Sequence, residues 1–186
     1  MIGTHRIAGY AIVSADGMIA DASAVIPDSL RNDTDQQFLQ AELDRAAAIV
    51  HGRHSYEGGP RAARRRRLIV TRAIAAIAVD PSHPNALLWN PAGATIENAL
   101  AELGTAGGIV AIIGGTDVFG LFLPHYDAFH LTRAAHAKIP GGRPVFPTVS
   151  AQATPEQILA GHGLAPGPRR EIDAAAGIAL ITWERK

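Results

Sequence analysis

The stretch Ile109–Leu123, IVAIIGGTDVFGLFL, constrains this chain more than any other. It opens as a short continuous apolar run, the length and composition of a strand buried on both faces. Gly114-Gly115 then allows a tight turn, because a residue without a Cβ reaches dihedrals closed to the others. Thr116 and Asp117 fall where a helix N-terminus would expose unpaired N–H groups, and Val118, Phe119, Leu121 and Phe122 resume the apolar pattern. A strand, a Gly-Gly turn and a helix start make a place to hold a phosphate. The same pattern is also an ordinary strand-to-helix turn that binds nothing, and alone it favours that reading.

Bulk properties exclude several classes. The 186 residues suit one domain, 1–186, with enough chain to bury a sizeable core. Seventeen basic residues balance seventeen acidic ones, so no global field draws the protein to nucleic acid or to an anionic membrane. The absence of cysteine rules out disulfides, thiolate chemistry and Cys-ligated zinc, and fits a cytoplasmic protein. The uncharged, glycine-rich run Leu103–Thr116 is shorter than the roughly 18–20 residues of a membrane span. Arg6, Ile7–Val13 and Val13-Ser14-Ala15 imitate a short signal peptide, but Gly9 and Tyr10 interrupt it, and a first core strand is the better reading.

Along the chain, Ile7–Ala15 reads as a buried strand ending at Asp16-Gly17, and Asp21–Asn32 as a loop. From Asp33 the spacing of Phe38, Leu39, Leu43 and Ala46 predicts a helix, with Asp33 or Thr34 as its N-cap. Ala47–Val50, Leu68–Thr71 and Ala86–Trp89 read as short strands, Thr95–Leu103 as a helix closed by Gly104, and Ala73–His83 stays ambiguous. Ala128–Ala134 is a further strand, Ile139–Pro147 a loop, and Gly177–Trp183 a last strand in a hairpin with Ile158–Leu164 or Arg169–Ile172. Strands alternating with helices early, and antiparallel-looking strands late, indicate an α/β fold with a mixed sheet.

Three stretches in order carry a resemblance. YAIVSADGMIA (Tyr10–Ala20), IVHGRHSYE (Ile49–Glu57) and IIGGTDVFGLFLP (Ile112–Pro124), followed by YDAFHLT (Tyr126–Thr132) and RPVFP (Arg143–Pro147), resemble the dihydrofolate reductase superfamily, including the reductase domain of bacterial riboflavin biosynthesis. The resemblance implies a three-layer sandwich with a mixed, mostly parallel sheet, helices on both faces and NADPH across the strand ends. It implies a pyrophosphate loop at Ile113, Gly114, Gly115, Thr116, Asp117 and Val118, with a cis Gly114–Gly115 peptide, and a second approach to the phosphates at Gly52, Arg53, His54 and Ser55. Thr71 and Arg72 fall where a 2′-phosphate is gripped, a role that suits the fixed fork of arginine. Ile12 and Ile19 would flank the nicotinamide, and Ala20–Leu30 would form a lid.

On the substrate side, Phe38 matches the family's helix phenylalanine, which puts Thr34 where a pterin-binding carboxylate belongs, with Asp33 and Asp35 on either side. A shift of one residue would restore the carboxylate as Asp35, with Thr132 as its partner. Arg65 or Arg66, in the run Arg64–Arg67, corresponds to an arginine that grips an acidic substrate tail. The expected activity is therefore an NADPH-dependent reduction of a small heterocycle, pterin-like or a ribosylated aminopyrimidine. The riboflavin-pathway pyrimidine reductase and a binding module without turnover are the alternatives. No metal-ligand spacing occurs among the eight histidines, the arginine run reads as a solvated strand entry more than as a nucleic-acid site, and a homodimer through the late strands is plausible.

Overall fold

The computed structural model describes residues 1–55 and 60–186. Its strands are β1 (His5–Ser14), β2 (Met18–Ala20), β3 (Ala48–Gly52), β4 (Arg67–Val70), β5 (Ile77–Val79), β6 (Ala86–Trp89), β7 (Gly108–Ile112), β8 (Ala128–Ala134), β9 (Arg143–Pro144), β10 (Leu164–Asp173) and β11 (Ile178–Arg185). Its α-helices are α1 (Asp33–Arg45), α2 (Ile96–Glu102), α3 (Thr116–Leu121) and α4 (Pro155–Gly161). Among the described residues nine strands form one sheet in the order β10-β11-β8-β1-β7-β3-β4-β6-β5, and β2 pairs with β9 apart from it. From β8 through β6 every pairing is parallel, while β5, β11 and β10 add antiparallel pairs at the two sides. The mixed sheet expected from the sequence is present.

Both faces are covered, which explains why the central strands read as continuous apolar runs rather than as alternation. One face carries the main core, with Ile7, Val13, Val50, Leu68, Val110 and Ile112 packed against residues of α2, α3 and α4. Gly9 belongs to this face; a Cβ there would overlap the Phe129 ring and stand 2.9 Å from Tyr126 Cε1. The missing side chain leaves room for rings that meet edge to face, Tyr126 on Phe129 at 5.0 Å and Phe129 on Phe146 at 5.3 Å. The other face is covered by α1, which lays Phe38, Leu39 and Leu43 on Ala8, Tyr10, Ile49 and Ala111.

Several local expectations are corrected. The N-cap of α1 is Asn32, not Asp33 or Thr34; its side chain accepts from Thr34 N (3.1 Å) and Asp35 N (3.0 Å). Asn32 also donates to Asp173 Oδ2 on β10 (3.0 Å), so one amide both starts the helix and ties it to the late hairpin. Asn32→Ala is expected to cost about 1 kcal/mol, the usual value of a lost cap, and Asn32→Ser to recover most of it; urea midpoints check both. Ile158–Leu164 is not a strand. Thr154 and Gln157 form a capping box there and start α4, so the partner of β11 is β10.

Ala73–His83 contains the edge strand β5, and the proline-rich loop contains the two residues of β9. The outer strand β10 carries Pro166 and Pro168 and two register breaks, which remove donors and bend the edge that a second sheet would need. Among the described residues, no helix is long and apolar enough to cross a membrane.

Candidate active site

The parallel strands β3, β4, β7, β1 and β8 all end at one edge of the sheet, and most of the singled-out residues follow those ends. Gly52 N donates to Gly114 O at 2.7 Å, which joins the turn after β3 to the turn after β7. The Gly114–Gly115 peptide is cis, as the resemblance implies. Gly114 takes φ +104°, and a Cβ on it would lie 2.6 Å from Phe119 Cε2. Cβ atoms on Gly52 and Gly115 would each stand 3.6 Å from Ser55 Oγ, and the one on Gly52 also 3.5 Å from Val118 Cγ2. Gly52, Ser55, Gly115 and Val118 therefore border one small space that side chains would fill.

Other members of the loop are differently placed. Thr116 donates through Oγ1 to Pro144 O at 2.5 Å, so its hydroxyl anchors α3 to β9. Asp117 is exposed, and Ile113 is half-buried on the α1 face. Arg53 and His54 are exposed in the turn after β3; Tyr56 and Glu57, the end of the second resembling stretch, lie outside the described residues. Arg53 N donates to Val70 O (3.2 Å), and Thr71 N to Trp89 O (2.9 Å). Thr71 is buried, with Oγ1 accepting from Ala73 N at 3.2 Å, while Arg72 beside it is exposed. Arg53 and Arg72 thus present guanidinium-bearing side chains from adjacent strand ends, and Thr71 turns its hydroxyl to its own backbone.

Under α1 the structure selects among the acidic candidates. Asp33 and Thr34 lie exposed on the first turn. Asp35 is turned inward, 9% exposed, and its carboxylate accepts a hydrogen bond from Thr132. Burial pushes the Asp35 carboxyl above the usual carboxylate range, and the Thr132 hydroxyl offsets part of that. Ile12 is the register partner of Thr132 and packs toward Leu30, Ala134 and Ile139, whereas Ile19 packs toward the main core, so the two isoleucines do not share a cluster.

One helical turn further along, Phe38 meets the His130 ring edge-on at 5.6 Å, and His130 stacks on Tyr10 at 4.6 Å. His130 Nδ1 is 3.1 Å from Thr182 Oγ1, and Tyr10 donates to Glu42 Oε2 at 3.2 Å. Burial holds the His130 imidazole below its ordinary pKa. Arg65 is not brought to this cluster. Its guanidinium is bonded to Gln40 Oε1 (2.9 Å) and to Asp44 (2.5 Å), the latter nine residues along α1 from Asp35 and about 13 Å away at the helical rise. The fork expected to hold a substrate carboxylate is already occupied by the Asp44 carboxylate of α1.

Two groups were missed in the sequence. Asn32 sets the register that turns Asp35 inward, because a cap that accepts from the third residue after it fixes which side of the first turn faces the sheet; Asn before Asp-Thr-Asp was a legible signal. Ser14 and Asp16 pin the end of β1: Ser14 Oγ bonds Asp16 at 2.5 Å and accepts from Met18 N at 2.9 Å, while Asp16 accepts from Ile139 N at 3.1 Å. No local pattern announces that pair. Among the described residues, no group of three acidic, histidine or cysteine side chains could hold a metal ion.

No protein-family model matches the sequence, and no curated protein matches it. Solved structures do. A Shewanella sp. PV-4 protein assigned to riboflavin biosynthesis superposes with TM-score 0.67 at 17% identity, over 97% of this chain and 99% of that one. Dihydrofolate reductase from Enterococcus faecalis, complexed with NADP(H) and RAB-propyl, gives TM-score 0.64 at 17% identity, over 98% of both chains. The diaminohydroxyphosphoribosylaminopyrimidine deaminase/5-amino-6-(5-phosphoribosylamino)uracil reductase of Thermotoga maritima gives TM-score 0.66 at 17% identity, over 98% of this chain and 57% of that one. With the sheet described above, these overlaps establish that the chain has the fold of the dihydrofolate reductase-like superfamily.

Proposed function

We propose that this protein is an NADPH-dependent reductase that delivers a hydride to a small heterocycle of the pterin or ribosylaminopyrimidine class. The observation that carries the reading is the buried Asp35 carboxyl, bonded to Thr132 at the strand edge where the Gly52 and Gly114-Gly115 turns meet. A carboxyl buried without a cationic partner is costly to keep, and it is useful where a polar, nitrogen-rich ring must be oriented. Asp35 would hold such a ring through paired hydrogen bonds and keep a proton available beside it, and Thr132 would fix the carboxyl's orientation.

The residues present fit the cofactor. The side-chain-free space bordered by Gly52, Ser55, Gly115 and Val118 would receive the pyrophosphate, and Arg53 and Arg72 would face the 2′-phosphate. When bound, NADPH supplies the hydride. Ile12 and Ile113, half-buried at the ends of β1 and β7, offer an apolar boundary beside Asp35. That a neighbour of this fold was solved with NADP(H) supports the cofactor, and a neighbour named as a 5-amino-6-(5-phosphoribosylamino)uracil reductase keeps the aminopyrimidine in the substrate class.

Fluorescence titration with NADPH and NADH, on wild type and Arg72→Ala, tests the reading. The expected result is a preference for NADPH that Arg72→Ala lowers about tenfold, the effect of roughly 1.4 kcal/mol from one charged contact, with NADH binding unchanged. Oxidation of the bound cofactor by dihydropterins or by ribosylaminopyrimidines then separates the two substrate types. Binding without turnover on either would leave a ligand-binding module on this fold; no nucleotide binding would overturn the proposal.

A further inference from the structure

The opposite edge of the sheet carries a second concave site. Ala46-Ala47 before β3, Arg61 and Arg64–Arg66 before β4, and Asn85 before β6 line an open cavity of about 750 Å³ with Leu43 and Asp44 of α1. The length of β3, about 13 Å for its four steps, separates this edge from the Gly52 turn. Among the described residues that line the cavity, four carry guanidinium groups and one a carboxylate. In a chain whose charges cancel overall, this is a concentrated local excess.

The arginines divide into two kinds. Arg65 is the scaffold: its side chain is 7% exposed and bonded to Asp44 and Gln40. Arg61 shares Asp44 at 2.9 Å. Arg64 and Arg66 alternate with the buried Arg65 and Arg67 and project outward. The backbone beneath them is held in place, with Ile49 N on Arg66 O at 2.9 Å, Arg67 N on Asn85 O at 2.9 Å and Asn85 Nδ2 on Ala63 O at 2.8 Å. A rigid floor with outward forks costs a ligand little ordering. The small walls of Ala46 and Ala47 leave room for a bulky anion.

We propose that this cavity binds a small phosphate-bearing polyanion through Arg64 and Arg66, with Arg61 at its rim. Guanidinium forks match phosphate oxygens bidentately, and two exposed forks over a concave floor suit a ligand with two or more phosphates. This site is independent of the proposed reductase centre. A free polyphosphate and the phosphate chain of a nucleotide share the required chemistry.

Isothermal titration of the full chain with tripolyphosphate and with ATP, at low salt, tests the proposal. Wild type is expected to give saturable binding that Arg64→Ala/Arg66→Ala weakens at least tenfold and Arg72→Ala leaves within twofold. Both replaced side chains are exposed, so a thermal midpoint equal to wild type confirms that the fold is intact, and Arg64→Lys/Arg66→Lys should retain part of the affinity if charge contributes alongside the fork. Tighter binding of ATP than of tripolyphosphate would mark a nucleotide as the source; equal binding would mark the phosphate chain alone. Absence of saturable binding, or affinity unchanged in the double alanine variant, would overturn the proposal. So would full competition by NADPH, or a single-stranded oligonucleotide binding more than tenfold tighter than tripolyphosphate.

Discussion

Asp35→Asn is expected to lower turnover by about a hundredfold or more while making the folded protein more stable at neutral pH. The catalytic loss follows from removing the group that holds and proton-couples the ring, since positioned acid–base groups contribute on the order of 10²–10⁴ in rate. The gain in stability follows from burial. The folded carboxyl binds its proton more tightly than the unfolded one because burial disfavours the charged form. Between the unfolded pKa, about 4, and the higher folded value, the native state holds more protons, so this group's contribution to stability falls as pH rises through that window. Above the window the wild type carries the whole penalty of a buried charge, which an asparagine avoids.

The variant should therefore gain on the order of 1 kcal/mol at pH 7, and the gain should shrink as the pH is lowered toward 4. The amide can still accept the Thr132 hydroxyl, so the cap register and packing of α1 are kept. Urea unfolding of both proteins at pH 7 and pH 4, beside single-turnover rates, reads both effects. A variant that is less stable at pH 7 would show that the carboxylate is a structural asset, and an unchanged turnover would remove Asp35 from the reaction.

Gly114→Ala is expected to destabilise the fold by about 3 kcal/mol and to weaken NADPH binding in whatever folded protein remains. Two costs add. At φ +104° an L side chain is strained, and its Cβ would stand 2.6 Å from Phe119 Cε2. Phe119 is 2% exposed and packs on Phe129 (5.6 Å) and Phe146 (6.4 Å), so the ring cannot withdraw without disturbing the core. Gly104→Ala supplies the control, with φ +77° but nothing within 4 Å of the added Cβ. It should cost only about 1 kcal/mol. Equal losses in the two variants would show that the ring contact yields, and that Gly114 is needed for its backbone conformation alone.

Much of the fold was legible because it rests on local chemistry. β6 and β8 begin and end where their apolar runs do, and α2 begins at the Thr95 cap. The Gly-Gly turn was legible because two glycines after an apolar strand let the backbone turn where other residues could not. The late hairpin was only half legible. Ile158–Leu164 has strand-like residues, but the Thr154–Gln157 capping box and Pro155 at the first turn commit it to a helix. β5 was hidden in an alanine-rich segment whose pairing comes from β6, not from its own composition.

The candidate site divides along the same line. The sequence by itself determined which residue types stand at the strand ends: glycines at 52, 114 and 115, arginines at 53 and 72, and a threonine at 132 within a strand. Those assignments need only the order of elements and the chemistry of turns. Only the tertiary structure decided which acidic residue of the first turn is turned inward. Asp33, Thr34 and Asp35 are successive residues, about 100° apart on a helix, and composition does not rank them. The Asn32 cap, its tie to Asp173 more than a hundred residues later, and the packing of Phe38 against Tyr10 and His130 set the rotation of α1. The fate of Arg65 was likewise tertiary, since its partners Asp44 and Gln40 lie on a helix that sequence order alone does not bring alongside. A helix's rotation is fixed by contacts distant in the chain, and the chemistry of this site depends on that rotation.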